Sequence, residues 1–120
     1  MSHGASSVQI DNGYSVTINV AYMRFEPSCG GDEGGDPWEV RGWRVLAPGG
    51  STTIANPTSN QWFYLFAEAV DGHLWTGPFV ESVTIPIKFS RCAGLETSTT
   101  EPVGFRELDT AAHDHFILVK

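Results

Sequence analysis

The chain has 120 residues, 41% hydrophobic, 12% aromatic and 18% charged. That is apolar enough for one packed core and too weakly charged for a disordered chain. Fourteen acids against seven Lys and Arg leave a net charge of −7, a field that repels nucleic-acid phosphates and anionic lipid. No stretch approaches the roughly 18 consecutive apolar residues of a membrane-spanning helix.

Residues 1–7 read as a disordered polar leader without the basic and apolar regions of a signal peptide, and residues 8–120 as one domain. Val8 to Asp11 leads into Asn12-Gly13, which suits a type I′ hairpin turn because both central residues need positive φ. Over residues 15–22, Val16, Ile18, Val20 and Tyr22 alternate with Ser15, Thr17, Asn19 and Ala21, the pattern of a half-buried antiparallel strand. Residues 27–37 hold two prolines, four glycines and three acids and read as an irregular loop.

Strand patterning resumes over residues 38–46 and 51–55. Residues 61–70 are apolar on both faces and predict a central strand. Asp71-Gly72 predicts a second tight hairpin, with residues 73–76 returning alongside. Val83, Ile85, Ile87 and Phe89 alternate through a strand whose Pro86 lacks an N–H, placing it at an edge or bulge. Residues 95–102 are Ser/Thr-rich and read as loop, residues 111–113 as at most one helical turn, and residues 116–119 as the last strand. About seven to nine short strands without an intervening helix predict an all-β, two-sheet antiparallel sandwich, immunoglobulin-like in appearance. Its core should join residues 15–22 and 61–70 with Val83, Ile85, Phe116 and Leu118.

Four segments occur in order: Gly42-Trp43-Arg44-Val45-Leu46-Ala47-Pro48-Gly49, the strand from Tyr64 to Ala69, Gly72-His73-Leu74-Trp75-Thr76-Gly77, and Gly104-Phe105-Arg106-Glu107-Leu108-Asp109-Thr110. This series resembles a bacterial family of unknown function with a Gly-Trp-Trp-x-x-x-Pro-Gly segment, a Tyr-rich strand, a Trp-x-Gly turn and a late Gly-Phe-x-x-x-Asp-Thr. Arg44 stands where that family has its second Trp. The family's cysteines tend to lie near the strand before the Gly-Phe segment, as Cys92 does and Cys29 does not. The resemblance implies a fold and an exported or membrane-associated setting, with no known reaction.

Asp32, Glu33 and Asp36 lie among glycines, and calcium takes roughly six to eight hard oxygens, but the spacing is neither that of an EF-hand nor of a nonapeptide repeat. His113 and His115, two apart, share a face on an extended chain and can chelate one transition metal if Asp109 or His73 joins them. Glu68 interrupts the apolar run and, if buried, would need a partner such as Arg41 or Arg44 or would stay protonated, a paired structural carboxylate being the expectation. Trp38, Trp43, Trp62 and Trp75 are many for this length; at least two should anchor the core, and Trp43 with Trp75 would form a binding face if both were exposed. No nucleophile motif or phosphate loop is present.

Cys29 and Cys92 fit no zinc or redox spacing. A bond between them would close a loop of about 60 residues, worth roughly 4 kcal/mol in the chain-entropy model, and would bring the 27–37 and 91–102 loops to one end. Asp32, Glu33, Asp36 and Glu96 would then share a negative surface with Trp38 at its rim. The expectation is a small non-enzymatic binding module for a protein or glycan partner of cationic character, without nucleic acid or cofactor. The alternatives are a metal-binding protein or metal-dependent enzyme using the His113 and His115 region, and a purely structural subunit. The location would be extracytoplasmic if an export signal preceded the chain, and cytoplasmic otherwise.

Overall fold

The computed structural model describes residues 4–30, 37–84, 89–92 and 100–119. In chain order the strands are β1 (Ser7–Asn12), β2 (Ile18–Phe25), β3 (Trp38–Leu46), β4 (Ser51–Ala55), β5 (Trp62–Ala69), β6 (Leu74–Trp75), β7 (Phe79–Thr84), β8 (Phe89–Cys92), β9 (Thr100–Asp109) and β10 (His115–Leu118). A 3₁₀ turn, Pro27–Gly30, follows β2. Among the described residues this makes nine strands of four residues or more plus the two-residue β6, with no α-helix. They form a small sheet in the order β10-β1-β4 and a larger one in the order β7-β9-β5-β2-β3-β8, with β6 beside the far half of β5. Among the described residues the pairings are antiparallel except β1 with β10, which is parallel.

The alternation in β2 and β5 builds two cores. Ile18, Val20 and Tyr22 of β2 and Phe63, Leu65, Ala67 and Ala69 of β5 face the small sheet, where Val8, Ile10, Ile54 and Leu118 meet them. The opposite faces are buried too: Ala21, Met23 and Phe66 pack with Val40, Val83 and Phe105. The expected half-buried strand is therefore covered on both sides, because the larger sheet curls until β7 comes against β3. Leu118 and the half-buried Phe116 join the first core and Val83 the second, so the expected single core is divided. Ile85 lies outside the described residues, as do Pro86 and Ile87.

A bulge changes the phase of β3. Arg44 pairs with Val20 and Gly42 with Ala21, leaving Trp43 as the extra residue. Before it, Trp38 and Val40 face the second core; after it, Leu46 faces the first, and the Arg44 guanidinium lies 5.9 Å from the centre of the Tyr22 ring.

The Asn12-Gly13 hairpin is corrected. β1 pairs with β4 and β10, not β2, so the chain crosses between sheets here. Buried Asn12 organises the crossing: its Nδ2 donates to Val16 O at 2.9 Å and Leu46 O at 3.0 Å, and its Oδ1 accepts from Tyr14 N at 2.8 Å. The Asp71-Gly72 hairpin joins β5 to β6, with Gly72 at φ 93° and its N–H donating to Ala69 O. Residues 100–102, expected as loop, are strand, and Pro102 pairs with Ser82 on β7. At 111–113 the N–H groups of Ala112 and His113 return to Asp109 O.

Residues 4–7, expected in the leader, are docked. Gly4 N donates to Ser59 O at 2.7 Å and Ala5 N to Thr110 Oγ1 at 3.2 Å. Thr110 Oγ1, buried, also contacts Asn60 O and Gln61 O. Buried Cys29, in the 3₁₀ turn, is disulfide-bonded, and the only other cysteine of the sequence is Cys92 on β8.

Asn12→Ala should lower unfolding stability by about 2–4 kcal/mol in a urea titration, since one buried and two part-buried hydrogen bonds lose their partner. Reduction of the disulfide should remove up to about 4 kcal/mol by releasing a closed loop of about 60 residues.

Candidate functional site

On the second-core side, strand alternation brings four elements to one cleft. Met23 and Tyr64 are cross-strand partners on β2 and β5, and Trp38 opens β3 opposite Phe25. β7 supplies the facing wall with Phe79, Val80 and Glu81, preceded by Pro78. Its position depends on a close backbone crossing: a Cβ on Gly104 would overlap Gly77 O, while Thr76 Oγ1 donates to Gly104 O at 2.8 Å. The cleft encloses about 360 Å³, within the size range of small-ligand sites. Phe79 is 42% exposed and Val80 70%, so the β7 wall faces solvent.

The rings in the cleft are inclined to one another. Trp38 stands at 83° to Tyr64 with centroids 5.3 Å apart, and Phe79 at 63° with centroids 5.1 Å apart. Tyr64 Oη donates to Glu107 at 2.9 Å. Burial, reinforced by that carboxylate, pushes the Tyr64 hydroxyl up to about 12, so it remains a proton donor throughout the neutral range.

Of the acidic site expected from sequence, Trp38 lines this cleft, whereas Asp32, Glu33, Asp36 and Glu96 lie outside the described residues. His113 and His115 border a shallow concavity of about 320 Å³ formed by residues 110–115. Each is already engaged: His115 Nε2 lies 2.6 Å from Asp11 Oδ2, and His113 stands edge-on to Phe116 at 6.5 Å. Asp109 Oδ1 accepts from Gln61 Nε2 and from Ala111 N, within its own turn. His73 stacks on Tyr14 and meets Trp75 edge-on in another part of the fold. Among the described residues no three His, Cys, Asp or Glu side chains are grouped to hold a metal ion.

Glu68 is exposed, beside Asn19 and Leu74, and the expected buried ion pair does not form. Arg44 Nη1 donates instead to Thr52 Oγ1, and Arg41 lies 4.0 Å from Glu39. At least two tryptophans anchor the cores as expected, and Trp43 and Trp75 do not form the alternative exposed face. Trp75 is buried in the first core with Nε1 donating to Val119 O, while Trp43 packs on Phe66 in the second. Tyr64, Phe79, Val80 and Glu107 were not singled out by sequence. Tyr64 could have been found from its place opposite Phe63 and Leu65 in the alternation; Phe79 follows only from the crossing at Gly104.

Comparison of the chain with protein-family models, with curated proteins and with solved structures finds no match.

The contact between Asp11 and His115 gives an acid-side prediction. Hydrogen bonds from Gln9 Nε2 and from His115 hold the Asp11 carboxyl below its ordinary value. A depressed folded-state value stabilises the fold above the unfolded value, and that contribution disappears as pH falls through the folded one. Asp11→Asn should therefore flatten the fall in melting temperature below about pH 4.

Proposed function

We propose that the chain is a small non-enzymatic binding module whose ligand seats in the cleft of Met23, Trp38, Tyr64, Phe79, Val80 and Glu81. The observation that carries this reading is an open cleft of about 360 Å³ lined by the exposed Phe79 and Val80 together with the Trp38 and Tyr64 rings. Aromatic side chains held on rigid strands provide large contact area at little entropic cost, the usual composition of binding hot spots. The net charge of −7 favours a partner of cationic character, and Asp32, Glu33 and Asp36 precede Trp38 in the sequence. Bonded Cys29 supports an extracytoplasmic location, where disulfides persist. That setting agrees with the one implied by the ordered Gly-Trp, Trp-x-Gly and Gly-Phe segments. Our immunoglobulin-like reading rests on two antiparallel-rich sheets packed across the first core; a solved structure would test it at the parallel β1 and β10 pair.

A fragment screen by ¹H–¹⁵N correlation spectroscopy tests the site. Shifts should concentrate on the Trp38 indole and on residues 78–81. Phe79→Ala should weaken any ligand found there by about tenfold with little change in melting temperature, because the ring is partly exposed. Shifts confined to residues 110–115, or stoichiometric zinc or copper in the purified protein, would replace this reading with the metal alternative.

A further inference from the structure

We infer that Asn12 is a modification site of the chain: it deamidates through Gly13 when the segment joining β1 to β2 opens, and the product cannot re-enter the fold.

The chemistry follows from the dipeptide. Once the Gly13 amide has lost its proton, its nitrogen can attack Cγ of Asn12. A C–N bond forms, the Asn12 side-chain nitrogen leaves as ammonia, and a five-membered succinimide remains. Water then opens the ring, giving aspartate by addition at Cγ, or isoaspartate by addition at the backbone carbonyl. Glycine in the following position leaves the attacking nitrogen unshielded and the backbone free to turn, because it has no Cβ. The other asparagines, Asn19, Asn56 and Asn60, precede Val20, Pro57 and Gln61. Val20 and Gln61 carry a Cβ that shields the nitrogen, and the proline nitrogen has no hydrogen to lose.

In the folded chain every reacting atom is committed elsewhere. Gly13 N–H donates to Leu118 O at 2.9 Å, which aims the nucleophile at β10. Asn12 Nδ2 donates to Val16 O and Leu46 O, and its Oδ1 accepts from Tyr14 N. Its backbone N–H donates to Gly50 O and its carbonyl accepts from Gly49 N. Ile117 and Val119 close over Gly13, where a Cβ would lie 2.8 Å from a methyl carbon of each. Asn12 is 1% exposed, which withholds the water that opens the ring. Cyclisation is therefore confined to states in which this crossing between sheets has come apart.

The same bonds make the step one-way. Nδ2 serves two carbonyl oxygens, and a carboxylate in its place would turn an acceptor and a buried charge toward both. Isoaspartate also inserts a methylene into the main chain at the residue that pairs with Leu118 and is bonded to Gly49 and Gly50. Either product is excluded from the fold, so each opening that ends in deamidation removes a molecule from the native population.

The test is peptide mapping by mass spectrometry of the full chain incubated in mildly alkaline buffer, with and without urea above its unfolding transition. In urea the peptide holding Asn12 should gain one mass unit at least about tenfold faster than those holding Asn19, Asn56 and Asn60, and at least about tenfold faster than in the native protein. Chain deamidated in urea, separated by anion exchange on its added charge and returned to native buffer, should fail to refold or melt at least about 10 °C below wild type. Chain held in urea in mildly acidic buffer, where the Gly13 nitrogen keeps its proton, should refold fully. Equal rates with and without urea would overturn the inference, as would an Asn12 rate in urea no greater than that of the other asparagines. A deamidated chain that regained the wild-type midpoint, or an acid-held chain that also failed to refold, would overturn the one-way step.

Discussion

The pairing of β2 with β5 is the constraint on which the rest of the molecule depends. Six residues of β2 pair with six of β5, from Ile18 opposite Ala69 to Met23 opposite Tyr64. Both faces of this ladder are apolar, so one layer of cover is not sufficient. The small sheet covers one face, and the larger sheet must curl back on itself to cover the other. A slip of one residue would exchange the two faces, presenting Phe63 and Leu65 to the space shaped for Phe66. Phe63 and Phe105, both fully buried, occupy separate cores, and deletion of either ring would leave a cavity of the kind that costs about 3–5 kcal/mol.

Polar side chains hold the seams where the two sheets and the connecting segments meet. Asn12 ties the exit of β1 to the end of β3, and Thr110 ties the N-terminal segment to the approach to β5. Arg24 joins the sheets from the side: its Nε contacts Glu39 at 3.0 Å and its Nη1 donates to Ala55 O on β4 at 2.7 Å. Apart from the Arg24–Glu39 pair, these side chains bond to backbone atoms at strand ends and in connecting segments, most of them part-buried. They explain two parts of the ordered series as architecture. Asp109 caps the turn after β9, and Thr110 fastens that turn to the loop before β5.

The cleft is a by-product of the same curl. β9 pairs with β5 through residues 106–109 and with β7 through residues 100–105, so it changes partner at the crossing of Gly77 and Gly104. That change carries β7 away from the first core and sets Phe79 opposite Tyr64. Because the rings stand on hydrogen-bonded strands and contact one another, the cleft is formed before any ligand arrives, which limits the ordering cost of binding.

By itself the sequence determined the all-β class, the extent of β3 and β4, the two-faced burial of β5 and the hairpin at Gly72. Each follows from local patterning: period-two apolarity, or a turn residue with positive φ. The sequence did not determine which strands pair. Asn12-Gly13 has the composition of a hairpin turn, yet the chain changes sheets there, because burying Val8 and Ile10 opposite β5 is worth more than a local pairing of β1 with β2. The phase change at Trp43 is equally invisible, since a bulge is defined by the partner strand and not by the bulged residue. Glu68 looked buried because its neighbours are apolar, but only the position of β6 and the curl of the sheet decide that it is exposed. The cleft belongs with these: its residues come from β2, β3, β5 and β7, and only long-range packing brings the Tyr64 ring within about 5 Å of both Trp38 and Phe79.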